Sequence, residues 1–146
     1  MKNKAIICDL DGTLSNSVNR QHYVECEHKN FEKFYEEAIN DEPNEWCKTI
    51  LNSLPEDITI IILTGRPNKW LTDFMNWAEK NEIYYDAIYT RKDGDFRQDY
   101  IIKQEIYDKE IKPYCDVLFC LDDRQQVVDM WRKNGLVCLQ CCEGNF

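Results

Sequence analysis

Long apolar runs are missing from this chain, and glycine and proline are scarce, with 5 and 4 residues among 146. No apolar stretch approaches the roughly 18 to 20 residues that a membrane-spanning helix requires, and residues 1–9 lack the apolar core and cleavage site of a signal peptide. The sequence also has no repeat and no linker rich in glycine, proline or serine. We therefore expect one domain over residues 1–146, in the cytoplasm of a cell.

Lysine and arginine are also fewer than the acidic residues. The 18 lysine and arginine residues face 27 aspartate and glutamate residues, which gives a net charge of -9. A protein that coats long stretches of nucleic acid binds through many lysine and arginine contacts to phosphates, so this balance argues against that class. It leaves room for a small positive pocket.

Metal-binding patterns of cysteine and histidine are weak. Three of the eight cysteines lie inside apolar runs: Cys8, Cys120 and Cys138. This placement predicts buried, reduced thiols. Cys138 and Cys141 form a CxxC pair, but no second pair follows at a zinc-like spacing. His22 and His28 have no partner motif, so we assign them no catalytic or metal-binding role.

The apolar runs that are present are short and alternate with helical patterns. Five of them have the length of strands: 5–9, 58–63, 86–89, 117–121 and 136–140. Most are continuous rather than alternating, as in central parallel strands that helices cover on both faces. The sequence therefore predicts an α/β fold built on a parallel sheet of about five strands.

Four helices are expected between the strands. Two carry apolar stripes that should face the core: Phe31, Phe34, Tyr35, Ala38 and Ile39, then Trp70, Leu71, Phe74, Met75 and Ala78 in a segment that begins at Pro67. The other two span about 97–111 and 124–134. The polar stretch 12–31 follows the first strand, where α/β sheets form their ligand crevice, so we expect a small flap or cap within about 12–45.

Charged residues stand at the ends of three predicted strands. Asp9 and Asp11 end the first, Thr64, Gly65 and Arg66 end the second, and Asp122 and Asp123 end the fourth. The carboxyl ends of parallel strands lie at one edge of a sheet, so these groups should share one crevice. Crowded carboxylates repel one another unless a cation lies between them, and oxygen ligands favour Mg²⁺. The sequence thus predicts Mg²⁺ as a cofactor.

A magnesium site beside Arg66 and a lysine is suited to phosphoryl transfer, because cations stabilise the charge that spreads over the phosphate oxygens in the transition state. No Walker A sequence is present, which removes the commonest kinase interpretation. We expect Asp9 to attack phosphorus, and Asp11 to protonate the leaving oxygen and then activate water. Gly12 lets the chain turn sharply after them, and Thr13 offers a hydroxyl and an N–H to the site.

Together these residues resemble the motifs of the haloacid dehalogenase phosphatase superfamily. Its four motifs correspond to Asp-Leu-Asp-Gly-Thr-Leu at 9–14, Leu-Thr-Gly-Arg at 63–66, Lys103, and Leu-Asp-Asp at 121–123. The resemblance implies a Rossmann-like sheet and a set of Mg²⁺ ligands drawn from both acidic motifs: Asp9, the main-chain carbonyl of Asp11, Asp122 and Asp123. It also implies that Thr64 and Lys103 bind the substrate phosphate, and we place Gly65 and Arg66 with them.

The chain is further similar to a narrower group, the 3'-phosphatase domains of bacteriophage polynucleotide kinase-phosphatases. Residues 94–103, 122–135 and 143–146 carry this likeness. It implies a phage-like intracellular enzyme that hydrolyses 3'-phosphate ends of DNA or RNA, 2',3'-cyclic phosphates or nucleoside 3'-phosphates. The kinase half of those proteins has no counterpart in the sequence, and no obligate protein partner is indicated.

Two more positions match the active site of this narrower group. Arg20 lies eleven residues after Asp9, in the expected flap, where a guanidinium can fork onto phosphate oxygens. Asp99 lies four residues before Lys103, so the two share a helix face and can form an ion pair that aims the ammonium into the site. The alternatives are a solvated loop arginine and an ordinary surface ion pair.

Two other functions stay open. The first is a small-molecule phosphatase of the same superfamily, such as a nucleotidase or a sugar-phosphate phosphatase, which suits the acidic net charge. The second is a non-catalytic phosphate-binding module, although all the catalytic candidates are present. A basic stretch of Arg91, Lys92 and Arg97 either guides an anionic substrate or lies in a solvated loop.

Overall fold

A parallel sheet of five strands forms the centre of the protein. The computed structural model describes residues 2–146. The strands are Asn3–Cys8 (β1), Thr59–Pro67 (β2), Ala87–Arg91 (β3), Cys115–Asp122 (β4) and Cys138–Gln140 (β5). Their order across the sheet is β3-β2-β1-β4-β5, and every neighbouring pair is parallel. The predicted α/β fold class is therefore confirmed, and β1 lies in the middle.

The connections between the strands are mainly helical. The α-helices of residues 2–146 are Phe31–Glu36 (α1), Glu45–Ser53 (α2), Leu71–Lys80 (α3), Asp99–Ile106 (α4) and Gln125–Lys133 (α5). Short 3-10 turns span Val18–Tyr23, Glu37–Asn40 and Asn68–Trp70, and a π turn over Tyr107–Ile111 continues α4. Within the described residues, no helix is long and apolar enough to cross a membrane.

One of these helices, α2, falls outside the predicted set. Its apolar residues Cys47, Ile50 and Leu51 have helical spacing, but the helix is short and polar residues interrupt the stripe. The helix expected over about 97–111 is divided into α4 and the π turn. The helix expected from Pro67 begins with a 3-10 turn before α3.

Helices cover both faces of the sheet. Ile6 points to one face, where it belongs to a buried cluster with Leu51 of α2 and Phe74 of α3. Ile7 points to the other face, in a cluster with Trp131 of α5. Successive residues of a strand face opposite sides, and here both sides are buried, which explains the continuous apolar runs in the sequence.

The apolar stripes of α1 and α3 are only partly buried. Phe34 and Ala38 lie in the interior as expected, but Phe31 is 49% exposed and Ile39 is 43% exposed. In the second stripe Met75 is 48% exposed. The prediction of a core-facing stripe is wrong for these three residues. Phe31 begins the short helix α1, Ile39 lies in the 3-10 turn that follows it, and a helix that packs on one side buries only part of its circumference.

Residues 12–45 are more regular than their polar composition indicates. They contain α1 and two of the 3-10 turns, and hydrogen bonds attach them to the rest of the domain. Trp77 Nε1 of α3 donates to the carbonyl of Asp41 at 2.9 Å, and inside the segment Asn44 Nδ2 donates to the carbonyl of Thr13 at 2.8 Å. The expected flap is therefore a packed, partly helical segment, which we call the flap segment.

The cysteines of the described chain are free thiols. Cys8, Cys120 and Cys138 are buried as predicted. Cys8 Sγ lies 3.6 Å from Cys47 Sγ of α2 inside the core. Both thiols act as small apolar groups that help to pack α2 against β1.

Candidate active site

The residues predicted at the strand ends meet at one edge of the sheet. Asp9 follows β1, Asp122 ends β4 with Asp123 directly after it, and Lys103 reaches the same place from α4. Thr64, Gly65 and Arg66 lie within β2 rather than after it, because β2 continues to Pro67 with an irregular register against β3. Thr64 is buried, and its Oγ1 accepts a hydrogen bond from the Arg66 N–H at 3.2 Å.

Three carboxylates crowd together in this crevice. Asp9, Asp122 and Asp123 are buried, and each offers an oxygen within 4.8 Å of the other two. We call these residues the acidic triad. Lys103 is 1% exposed, and its Nζ lies 2.9 Å from Asp9 Oδ1 and 3.1 Å from Asp122 Oδ2. One ammonium thus bridges two members of the triad.

The crowding of charge changes the protonation of these groups. Burial, and next the charge of Asp9, raises the pKa of both Asp122 and Asp123. Burial acts to lower the pKa of Lys103, but the carboxylates around it outweigh burial and hold that pKa well above its ordinary value. If all three carboxyls were ionised, one ammonium would leave an excess of negative charge, and the raised pKa values reflect that repulsion. Closely spaced oxygen donors with excess negative charge fit a hard divalent cation such as Mg²⁺.

The turn after β1 brings a hydroxyl to the acidic triad. Thr13 Oγ1 lies 3.3 Å from Asp9 Oδ2 and 3.2 Å from Asp123 Oδ1, within hydrogen-bonding distance of both carboxylates. Gly12 has a φ of +85°, and a Cβ at this position would overlap the Asp123 carboxylate. Both the left-handed backbone and the close approach require glycine here.

Asp11, the expected proton carrier, lies between two arginines. Arg66 Nη2 is 2.7 Å from Asp11 Oδ1, Arg66 Nε is 3.0 Å from Oδ2, and Arg20 Nη2 also donates to Oδ1. Burial acts to raise the pKa of Asp11, but the charges of Arg66 and Arg20 outweigh burial and hold that pKa well below its usual range. In this arrangement Asp11 is an ion-paired carboxylate.

Arg20 is anchored inside the flap segment. Its side chain is buried, with Nε 3.0 Å from both carboxylate oxygens of Asp41 and Nη1 3.1 Å from the Phe34 carbonyl. Its guanidinium lies 4.2 Å from the centre of the Phe34 ring. Protein acceptors thus engage the guanidinium at Nε and at both terminal nitrogens, and the contact of Arg20 with phosphate stays a prediction. Asp41 is not among the predicted site residues, because nothing in its spacing separates it from the other acidic residues of 36–45.

Asp99, the first residue of α4, lies near three cationic side chains. Its Oδ2 lies 3.5 Å from Lys103 Nζ and 3.8 Å from Arg124 Nη1, and its Oδ1 lies 3.7 Å from Arg91 Nη2. Gly65 packs directly on this carboxylate, since a Cβ on Gly65 would overlap it. The ion pair expected from the i,i+4 spacing of Asp99 and Lys103 is present, and its catalytic role stays a prediction.

The basic stretch before α4 is largely paired within the protein. Arg91 Nε donates to the Gly65 carbonyl at 2.8 Å, and Arg91 Nη1 donates to the Asp95 carbonyl at 2.9 Å. Arg97 forms ion pairs with Asp95 at 2.9 Å and with Glu105 at 2.6 Å. Arg91 therefore fixes the loop before α4 against β2. This structural role differs from both predicted ones, guidance of an anionic substrate and a solvated loop.

The strand order β3-β2-β1-β4-β5, with the acidic motifs at the ends of β1 and β4, is that of the haloacid dehalogenase superfamily. The protein is a phosphomonoester hydrolase of that class. The model of one family, the polynucleotide kinase PNKP phosphatase domain, matches residues 3–146. The chain belongs to this family.

Individual relatives agree with this assignment. A protein of the Autographa californica nuclear polyhedrosis virus, named for bifunctional polynucleotide kinase and RNA ligase activity, is 29% identical over 135 residues, which are 88% of this chain and 18% of the viral protein. Two structures of the Pnkp1/Rnl/Hen1 complex, one described as an RNA repair complex, contain a chain that is 37% identical with TM-scores of 0.87 and 0.88. The match covers 99% of this chain and 44% and 48% of theirs, so this chain spans less than half the length of these relatives.

More distant structures share the fold. A phosphatase structure from Clostridium difficile superposes with a TM-score of 0.67 at 16% identity and covers 96% of this chain and 85% of its own. This likeness supports the Rossmann-like architecture alone.

Proposed function

We propose that this chain is a Mg²⁺-dependent 3'-phosphatase that removes phosphate from the 3' end of DNA or RNA, or from a nucleoside 3'-phosphate, through an aspartyl-phosphate intermediate. The observation that carries the proposal is the buried acidic triad with Lys103 bridging Asp9 and Asp122. The family match over residues 3–146 and the polynucleotide kinase and RNA repair relatives support a nucleic acid substrate.

The acidic triad, with the main-chain carbonyl of Asp11, is the proposed Mg²⁺ site. When bound there, Mg²⁺ would neutralise the triad and supply positive charge to the phosphate oxygens. Thr64 and Lys103 bind the substrate phosphate, with the Gly65 backbone beside them. Lys103 is held in place by Asp99, and the Thr13 hydroxyl bridges Asp9 and Asp123.

Asp9 starts the proposed reaction. One of its carboxylate oxygens attacks phosphorus, the bond from phosphorus to the 3' oxygen breaks, and Asp11 gives a proton to that oxygen. Asp11 then takes a proton from a water molecule that attacks the aspartyl-phosphate. The bond from phosphorus to Asp9 breaks, inorganic phosphate leaves, and Asp9 returns to its first state.

The arginines around Asp11 suggest how its protonation is linked to the substrate. Asp11 is held as a carboxylate while Arg66 and Arg20 bond to it. A phosphate dianion in the crevice competes for the same guanidinium donors. We propose that Arg66 turns from Asp11 to the phosphate, which raises the pKa of Asp11 and prepares it to act as an acid. Arg20 remains anchored by Asp41 and supplies the second cation.

The surroundings of the site form part of the same proposal. Residues 1–146 act as one phosphatase domain, and the flap segment covers the crevice from the side of Arg20. A 3'-hydroxyl end is what a ligase needs, so we propose that a polynucleotide end-joining reaction consumes the product. The RNA repair complex that contains the Pnkp1 relatives supports this order of reactions.

A substrate panel tests the proposal. Phosphate release is measured with and without Mg²⁺ on a 3'-phosphate oligonucleotide, its 5'-phosphate isomer, a 2',3'-cyclic phosphate and simple sugar phosphates. The expected result is Mg²⁺-dependent release that is fastest from 3'-phosphates and is lost in Asp9→Asn.

The acidic net charge of -9 favours the competing function, a small-molecule phosphatase. Equal or faster turnover of the sugar phosphates would establish that alternative and reject the 3'-phosphatase proposal. Full activity of Asp9→Asn would reject the covalent mechanism for either substrate.

A further inference from the structure

Three aromatic side chains form a cluster where the flap segment meets the turn after β2. The rings of Phe31 and Tyr35, both on α1, are stacked with their centres 6.1 Å apart, and the Tyr35 and Trp70 centres are 6.4 Å apart. We call these three residues the aromatic cluster. Phe31 is 49% exposed, and Tyr35 and Trp70 are partly buried. The core does not need Phe31, since Phe34 is the residue that buries α1.

The aromatic cluster lies beside the phosphate site. Trp70 follows Arg66 by four residues, in the 3-10 turn that comes directly after β2. Arg20, which donates to Asp11, lies with its guanidinium 4.2 Å from the centre of the Phe34 ring. The centre of that ring is 5.4 Å from the centre of the Tyr35 ring and 6.5 Å from that of Phe31, so one side chain separates the cluster from the arginine beside Asp11.

An ion pair joins the two elements that carry the cluster. Lys69 Nζ lies 2.7 Å from Glu32 Oε2 of α1 and 5.2 Å from the centre of the Trp70 ring. The backbone N–H of Lys69 also donates to Asp93 Oδ1 at 3.0 Å. The first contact joins the turn after β2 to α1, and the second joins the same turn to the loop after β3, so the aromatic faces are arranged before a substrate arrives.

Resting on the proposed function, we propose that the aromatic cluster binds the nucleobase next to the phosphate that Asp9 attacks. A phosphomonoester at the triad places its nucleoside at the mouth of the crevice, and partly exposed rings next to that mouth are suited to stacking on a base. Because every base has an aromatic face, stacking of this kind tolerates any base. The cluster thus gives this site a preference for nucleotides over sugar phosphates.

The test compares two substrates that differ only in the base. One is a short oligonucleotide with a 3'-terminal nucleoside phosphate, and the other carries an abasic tetrahydrofuran residue with the same 3'-phosphate. For the wild type we expect kcat/KM to be about tenfold higher with the base, the size of one stacking contact, mainly through KM. Trp70→Ala and Phe31→Ala should each bring this ratio towards one while kcat on the abasic substrate changes little.

Tyr114→Ala is the matched control. Tyr114 is 63% exposed and precedes β4, at the opposite edge of the sheet, so removal of its ring should leave the ratio unchanged. Phe31→Ala removes a half-exposed ring and keeps the inference testable if Trp70→Ala does not fold.

The outcomes separate this inference from the proposed function. Equal kcat/KM for the two substrates in the wild type, or a ratio that Trp70→Ala and Phe31→Ala leave intact, would overturn the role of the aromatic cluster while 3'-phosphatase activity stands. A wild type that hydrolyses other phosphomonoesters but neither 3'-phosphate would overturn the proposed function, and the inference with it.

Discussion

Lys103 is the cation on which the buried site depends. Its Nζ lies 2.9 Å from Asp9, 3.1 Å from Asp122 and 3.5 Å from Asp99, and its side chain is 1% exposed. Lys103→Met keeps an apolar stem of similar length and removes the charge, which leaves the carboxylates uncompensated. Removing one partner of a buried ion pair costs about 3–5 kcal/mol, and we expect a loss of that size in the free energy of unfolding when EDTA is present.

Mg²⁺ should recover part of this loss, because the metal supplies positive charge to the same carboxylates. The measurement is urea denaturation at neutral pH, followed by circular dichroism, with EDTA or with excess Mg²⁺. Lys33→Met is the control, because Lys33 of α1 is a partly exposed lysine that pairs with Glu36 and Glu37 and should contribute little. A Lys103→Met protein as stable as Lys33→Met in EDTA would refute the reasoning, as would a loss that Mg²⁺ leaves unchanged.

Three further predictions concern the supports of the site and its pH dependence. Gly65→Ala places a Cβ in the Asp99 carboxylate. This substitution should lower the free energy of unfolding by about 1–3 kcal/mol, measured by thermal melts, and should reduce kcat, measured by initial rates. Asp41→Asn removes the charged partner of Arg20 and should lower kcat/KM by about tenfold, whereas Asp57→Asn at an exposed position should not. Two carboxyls of the acidic triad have raised pKa values, so their stabilising effect is complete below their unfolded pKa and is lost as pH rises. The Mg²⁺-free protein should therefore lose stability as pH rises from about 4 through the raised pKa values of about 7 for Asp122 and about 9 for Asp123. Added Mg²⁺ should raise the melting temperature more at the upper end of this range; an equal rise at both ends would contradict this.

Much of the site could be predicted because parallel strands impose a simple geometry. Asp9 and the pair at 122–123 follow strands that lie side by side in the sheet, so their positions at strand ends were enough to bring them together. Lys103 and Asp99 are four residues apart, and an ordinary helix places them on one face. These relations depend only on the period of the element and on the edge at which it ends.

Contacts between distant segments could not be predicted in this way. Asp41 meets Arg20 because the flap segment folds back on itself, and no period in the sequence marks that contact. The sequence predicts that Gly65 binds the substrate phosphate. It does not predict the contact of Gly65 with Asp99, because that contact depends on the distance between β2 and α4.

The exposure of Phe31 shows the limit of periodicity. Helical spacing indicates which residues share a face of α1, but it does not show how far that face extends beyond the core. In the protein, Phe34 is buried by the domain and Phe31 is left at the rim. The same departure from the pattern motivates the proposed base-binding role of the aromatic cluster.

The central claim is that Asp9 becomes covalently phosphorylated during hydrolysis of a 3'-phosphate. The most direct measurement is rapid acid quenching of the enzyme with Mg²⁺ and an oligonucleotide whose 3'-phosphate carries a radioactive label. The predicted result is that the wild type carries protein-bound label, that hydroxylamine releases this label, and that Asp9→Asn acquires none. Hydrolysis of the 3'-phosphate by Asp9→Asn at the wild-type rate would contradict the account.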